Sequence, residues 1–126
     1  MTSRFAVSKY VEAGGVAWLA VHGEIDTDVS EALTAIIANA GRQDGVTALL
    51  IDLGDVPFLA AAGIRALLEG RATAQQQCLH YQVVNPHGIV RAVLRAAGLT
   101  ELLRVADLPH HPAHRPAWTG DRLTRS

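Results

Sequence analysis

The run Val46-Thr47-Ala48-Leu49-Leu50-Ile51-Asp52-Leu53 is nearly continuous in apolar side chains. A strand with one face in water alternates apolar and polar residues. A run without alternation therefore predicts the centre of a sheet, covered on both faces by crossover helices. Helical patterns do flank it. Before the run, Val29, Ala32, Leu33, Ile36, Ile37 and Ala40 recur at helical spacing, and Gly41 offers a stop. Asp28 followed by Glu31 resembles a capping box for that helix, with Thr27 sharing the cap. After the run, Ile64, Leu67 and Leu68 open a second helix whose Arg65, Glu69 and Arg71 read as its solvated face.

The alternation of strand and helix continues downstream. Residues 79–84 predict another strand, and Asn85-Pro86 supply a cap and first-turn proline for a helix over 89–97 that Gly98 ends. Residues 99–106 predict a short helix or turn and an edge strand. Upstream, apolar segments 5–11 and 16–21 flank Glu12-Ala13-Gly14-Gly15, the pattern of a hairpin. A hairpin followed by right-handed βαβ crossovers gives an α/β domain with a mixed, largely parallel sheet. A chain of 126 residues fits one such domain, predicted to span 1–108. From there Pro109, Pro112 and Pro116 punctuate a His- and Arg-rich stretch, which predicts a tail over 109–126.

Composition excludes several function classes. Eleven basic residues against twelve acidic ones leave a formal charge of −1 and no broad basic field for nucleic acid. No leader pattern or spanning apolar run is legible, and the single Cys78 cannot form an intrachain disulfide, so a cytoplasmic protein without membrane insertion is expected. Cys78, at the edge of an apolar segment, reads as a small buried hydrophobe. The sole lysine, Lys9, lies in the first hairpin, whereas receiver and phosphate-cradling folds need lysine at a strand end or after a Gly-rich loop. Asp52 and Asp55 lack a matching acid, base or metal partner and read as strand-end and turn residues. His22 and His80 read as hydrogen-bonded structural histidines, and Trp18 as core. His110-His111-Pro112-Ala113-His114 offers imidazoles but no Cys or acid at ligand spacing, so no metal or cofactor is expected.

Three motifs then converge: Gly23-Glu24-Ile25-Asp26, the run Leu50-Ile51-Asp52-Leu53-Gly54-Asp55-Val56-Pro57-Phe58-Leu59, and Gly63-Ile64-Arg65-Ala66-Leu67-Leu68. With this order of elements, the stretch from Phe5 to Leu108 resembles the STAS family, which includes bacterial anti-sigma factor antagonists. The resemblance implies a non-enzymatic protein-interaction module that binds a kinase-like anti-sigma factor and so regulates transcription. It places the docking surface on Asp26 and Thr27 and on the turn Ala60, Ala61, Ala62, Gly63, Ile64 and Arg65. In such relatives the three positions before the Gly read Asp-Ser followed by Ser or Thr, and the first Ser is phosphorylated by the partner. Here they are Ala60, Ala61 and Ala62, so no phosphorylation is expected at Ala61.

A hydroxyl at a helix start caps free N–H groups, and a phosphate there adds about −1.5 to −2 charges where the positive helix end can hold them. Alanine removes the nucleophilic oxygen and forfeits a cap worth roughly 1 kcal/mol. Two readings of the alanines stay open. They are good helix formers in a copy that lost regulation, or they hold the chain permanently in its partner-binding state. Gly63, early in the helix, predicts close approach by a partner or a neighbouring loop. STAS-like domains also serve as scaffolds in stress-signalling assemblies or beside membrane transporters, which gives the alternative function. A small-ligand binder is a third, without a legible phosphate loop. The closing amphipathic helix common in the family is replaced by prolines, and apolar surface left uncovered on that account predicts a homodimer.

Overall fold

The structure is a computed structural model and describes residues 5–109. Strand β1 (Ala6–Glu12) turns through Gly14 and Gly15, both at positive φ, into antiparallel β2 (Val16–His22). Helix α1 (Thr27–Gly41) crosses to β3 (Ala48–Asp55), and α2 (Ala61–Gln76) crosses to β4 (His80–Val84); both strands run parallel to β2. Helix α3 (Gly88–Ala96) follows. Residues 101–104 form a turn, and the predicted edge strand is reduced to a single parallel bridge between Val84 and Ala106. The Pro- and His-rich segment, including His110, His111, His114 and Trp118, lies outside the described residues from position 110 onward.

The expectation that β3 has helices on both faces needs correcting. The sheet order is β1-β2-β3-β4, the order of the chain. Successive right-handed crossovers in one direction deliver every helix to the same face. Ala17, Leu19 and Val21 of β2, Leu49, Ile51 and Leu53 of β3, and Tyr81 and Val83 of β4 accordingly share one core with Leu33 and Ile37 of α1, Leu67 of α2, and Val90 and Leu94 of α3. On the opposite face Trp18, Ala20, Asp52 and Val84 are also buried, as the run of apolar residues requires, while Leu50 is half-buried. Trp18 is thus inside, as expected.

Helix stops divide in two ways. Gly98 ends α3 at φ +75, and Leu99 N–H reaches back to the Leu94 carbonyl at 3.0 Å. Cys78 does the same for α2 at φ +59, with Leu79 N–H on the Ala74 carbonyl at 2.9 Å. A left-handed stop turns its side chain outward, so Cys78 is exposed rather than buried. Gly41 is not a left-handed stop but the last residue inside α1, where a Cβ would meet the Gln77 side-chain oxygen at 2.5 Å.

The start of α3 also differs from expectation. His87 occupies the cap position, and its Nε2 lies 2.7 Å from the Gly54 carbonyl oxygen. Asn85 sits two residues earlier at φ +62, and its side chain accepts from Leu108 N–H at 2.8 Å and donates to Asp52 Oδ2 at 3.3 Å. Asp52, the single buried charged residue among those described, also accepts from Gly54 N–H at 2.8 Å. Its role is to tie the ends of β3 and β4 to the chain at 108, a refinement of the strand-end reading.

Candidate functional site

Both crossovers leave the sheet at the carboxyl ends of β2 and β3, where open α/β sheets present their binding edges. The two departing loops are laced together there. Gly23 N–H donates to the Asp55 carbonyl (3.3 Å), Ile25 N–H to the Phe58 carbonyl (3.1 Å), and Ala60 N–H to the Ile25 carbonyl (3.0 Å). Ile25 is fully buried and forms an isolated parallel bridge with Leu59. Gly63 packs directly on this seam: a Cβ there would lie 2.5 Å from Leu59 Cδ1, 2.7 Å from Ile25 Cγ2 and 2.9 Å from the Ile25 carbonyl. The close approach predicted at Gly63 therefore comes from the chain's own loop, and only glycine fits.

The helix starts that emerge from the seam are chemically unlike. Asp26 is extended and caps α1, its Oδ1 accepting from Asp28 N–H at 3.0 Å and Val29 N–H at 3.3 Å. The expected capping box on Asp28 and Glu31 gives way to this cap two residues earlier. Asp28 lies in the first turn instead, where its charge still favours the positive helix end. Ala60 occupies the corresponding position of α2, extended in the same way, and makes no side-chain hydrogen bond. Ala61 follows as the first helical residue and is exposed.

Of the predicted docking residues, the fold gathers all eight at this edge but presents them unequally. Thr27, Ala61 and Arg65 are exposed, and Asp26, Ala60 and Ile64 are half-buried. Ala62 and Gly63 are buried and serve packing. Between α1 and α2 runs an open groove of about 480 Å³ lined by Ala35, Ala38, Ala62 and Ala66 together with Thr27 and Arg65. Thr34 Oγ1 spans it to Glu69 Oε1 at 3.3 Å. Arg71 belongs elsewhere, donating to the Leu102 carbonyl at 3.2 Å. Sequence reasoning missed two features of the edge. Ser30 and Glu31 also line the groove, on the face marked by the spacing of Thr27, Ser30 and Thr34. Phe58, read only as part of a motif, is 46% exposed.

A bulge between Ala20 and His22 brings His22 opposite Asp55, with Nδ1 3.0 Å from Asp55 Oδ2 and Nε2 3.3 Å from Ser8 Oγ. The order Ser–His–Asp has the outline of a hydrolytic triad. Such chemistry also needs paired amide donors for an oxyanion, and the neighbouring amides of Gly23 and Ile25 are engaged with Asp55 and Phe58. The chain of contacts is a strut across three strands, in keeping with a structural His22. His80 is exposed at the start of β4. Among the described residues no three His, Cys, Asp or Glu side chains gather as a metal set, and no helix is long and apolar enough to cross a membrane.

Comparison with known proteins agrees with this architecture. The model of the STAS domain matches residues 8–111. The anti-sigma-F factor antagonist RsfB of Mycobacterium tuberculosis is 34% identical over 98 residues, covering 76% of this chain and 77% of the relative. An anti-sigma factor antagonist from Mycobacterium paratuberculosis superimposes with a TM-score of 0.65 at 29% identity, over 80% of this chain and 86% of that one. The anti-sigma factor antagonist SpoIIAA in its unphosphorylated form reaches a TM-score of 0.71 over 83% of this chain and 90% of its own, at 21% identity, a likeness of fold alone. With its hairpin-led sheet, its helices on one face and this match across most of its length, the chain belongs to the STAS domain family.

Proposed function

We propose that this chain is a cytoplasmic, non-enzymatic anti-sigma factor antagonist that docks on a kinase-like anti-sigma factor through the edge where α1 and α2 begin, with no phosphoswitch at Ala61. One observation carries the reading: α2 starts on Ala60, Ala61 and Ala62, with Ala61 exposed beside the capped start of α1. The 34% identity to an anti-sigma-F factor antagonist supports the partner class. A phosphate at the start of α2 would put a bulky dianion on the docking edge and disrupt the fit. With methyl groups there, occupancy depends on partner concentration alone, and capture of the anti-sigma factor frees its sigma factor constitutively. The intact backbone of this edge supports permanent binding competence over a copy that merely lost regulation.

Affinity purification from the native host followed by mass spectrometry tests the partner class. Recovery of a kinase-like anti-sigma factor is the expected result; recovery of transport subunits in its place overturns the reading. Incubation of the purified pair with labelled ATP should leave the chain unlabelled and should label the Ala61→Ser variant. Phosphate on Thr27 or Ser30 of the wild-type chain would show a switch that had moved, and would refute constitutive binding.

A further inference from the structure

Phe58 stands out at this edge because its surroundings are rigid and it is not covered. Its carbonyl holds Ile25 N–H at 3.1 Å, and the next residue, Leu59, is 4% exposed in the bridge to Ile25. The backbone that carries the ring is thereby fixed, while Phe58 as a residue is 46% exposed next to exposed Pro57. Presenting an aromatic from a preformed backbone lowers the ordering cost of binding, which is the usual property of an interface anchor.

The two segments that form this edge are acidic. The chain as a whole carries −1, but segments 22–31 and 55–65 contain Glu24, Asp26, Asp28, Glu31 and Asp55 against Arg65 alone, five acids to one base. A second copy of this chain is a poor occupant, since an isologous pairing sets the same acids against themselves. We infer that Phe58 is the affinity anchor of the docking edge, and that the anti-sigma factor receives it in an aliphatic pocket ringed by Lys or Arg. This inference rests on the function proposed above.

The test uses the anti-sigma factor captured by the wild-type chain, purified, with affinity and association rate measured by surface plasmon resonance across a salt series. Phe58→Ala should weaken binding by roughly tenfold or more. Its thermal midpoint is measured alongside, and Phe58→Leu, which keeps an apolar side chain, should recover part of the loss. Glu24→Gln, an exposed rim change, should slow association about two- to fivefold and flatten the salt dependence. Wild-type binding with Phe58→Ala within twofold of it overturns the anchor and leaves the functional reading standing. Failure of the wild-type chain to capture any kinase-like anti-sigma factor overturns both. Sedimentation showing a wild-type dimer that Phe58→Ala converts to monomer assigns the patch to self-association and also overturns the anchor.

Discussion

Helix α1 begins on a carboxylate, and helix α2, laced to it through the Ile25–Leu59 bridge, begins on methyl groups. The first start is secured locally, by Asp26 accepting from the amides of Asp28 and Val29. The second is secured from outside the helix: Ala60 N–H is held by the Ile25 carbonyl, and Gly63 is wedged against Ile25 and Leu59. A start fixed by neighbouring backbone does not need a capping oxygen to stay in place. Side-chain chemistry at positions 60 and 61 is thereby released from the work of folding, whereas buried Ala62 still serves packing, and an oxygen at 60 or 61 can be gained or lost without moving the helix start.

Gly63→Ala should break this arrangement with the largest effect. The added Cβ meets Ile25 backbone at 2.9 Å, which cannot retreat as a flexible side chain would. Urea denaturation should show a loss of about 1–3 kcal/mol, as overpacking typically does. A loss below a few tenths would mean that the seam is loose and that α2 is not held by it. Asp26→Ala comes next, with an expected loss of roughly 1 kcal/mol from the missing cap. If its cost equals that of Gly63→Ala, the contrast between a locally and an externally secured start disappears.

How much of this was legible follows from where the fixing contacts lie. Periodicity within a segment gave the hairpin, α1, β3, α2 and β4 to within a few residues, since each pattern is local. The cap of α1 was misplaced because Asp26, Thr27 and Asp28 all carry oxygens suited to capping, and only the observed backbone shows which one is extended. Cys78 and Asn85 at positive φ were invisible because neither is glycine, and long-range bonds such as Asn85 to Leu108 stabilise the unusual geometry. The face that carries the helices depends on strand order, which no single segment encodes. At the proposed docking edge, motifs named eight residues that the fold brings together. The exposure of Phe58 was not, because an apolar residue in an apolar motif looks the same whether it packs inward or stands out.

A third test reaches the middle of α2, where the same external fixing recurs. Tyr81 of β4 donates its hydroxyl to the Leu67 carbonyl at 2.8 Å, and Gly70 leaves the room for it, since a Cβ there would lie 2.7 Å from the phenol oxygen. Burial pushes the Tyr81 phenol well above its ordinary value of 10.0. Above about pH 10 the unfolded chain loses this proton first, so stability falls as pH rises there and is unaffected below. Burial also raises the phenol of Tyr10, opposed by its hydrogen bond with Ser8, and adds a lesser slope. Tyr81→Phe should lose about 0.5–1.5 kcal/mol at neutral pH and flatten the alkaline decline. An unchanged alkaline slope would mean that another group titrates and that Tyr81 does not fix α2.

The smallest expected effect separates the two things an oxygen could do at the start of α2. Ala60 already has the extended conformation of a cap residue, with φ −81 and ψ 169, so Ala60→Asp can accept from Ala62 and Gly63 amides without rebuilding the turn. A gain of roughly 0.5–1 kcal/mol is expected, less than the loss from Asp26→Ala because Gly63 N–H already reaches the Ala60 carbonyl at 2.9 Å. The variant still lacks a hydroxyl at Ala61, so ATP and the proposed kinase-like partner should leave it unmodified. Stability restored without phosphorylation would show that cap and switch are independent functions of neighbouring positions. A gain equal to or above the Asp26→Ala loss would instead show that the start of α2 had been waiting for a cap, and that the seam with Ile25 holds it less firmly than its contacts imply.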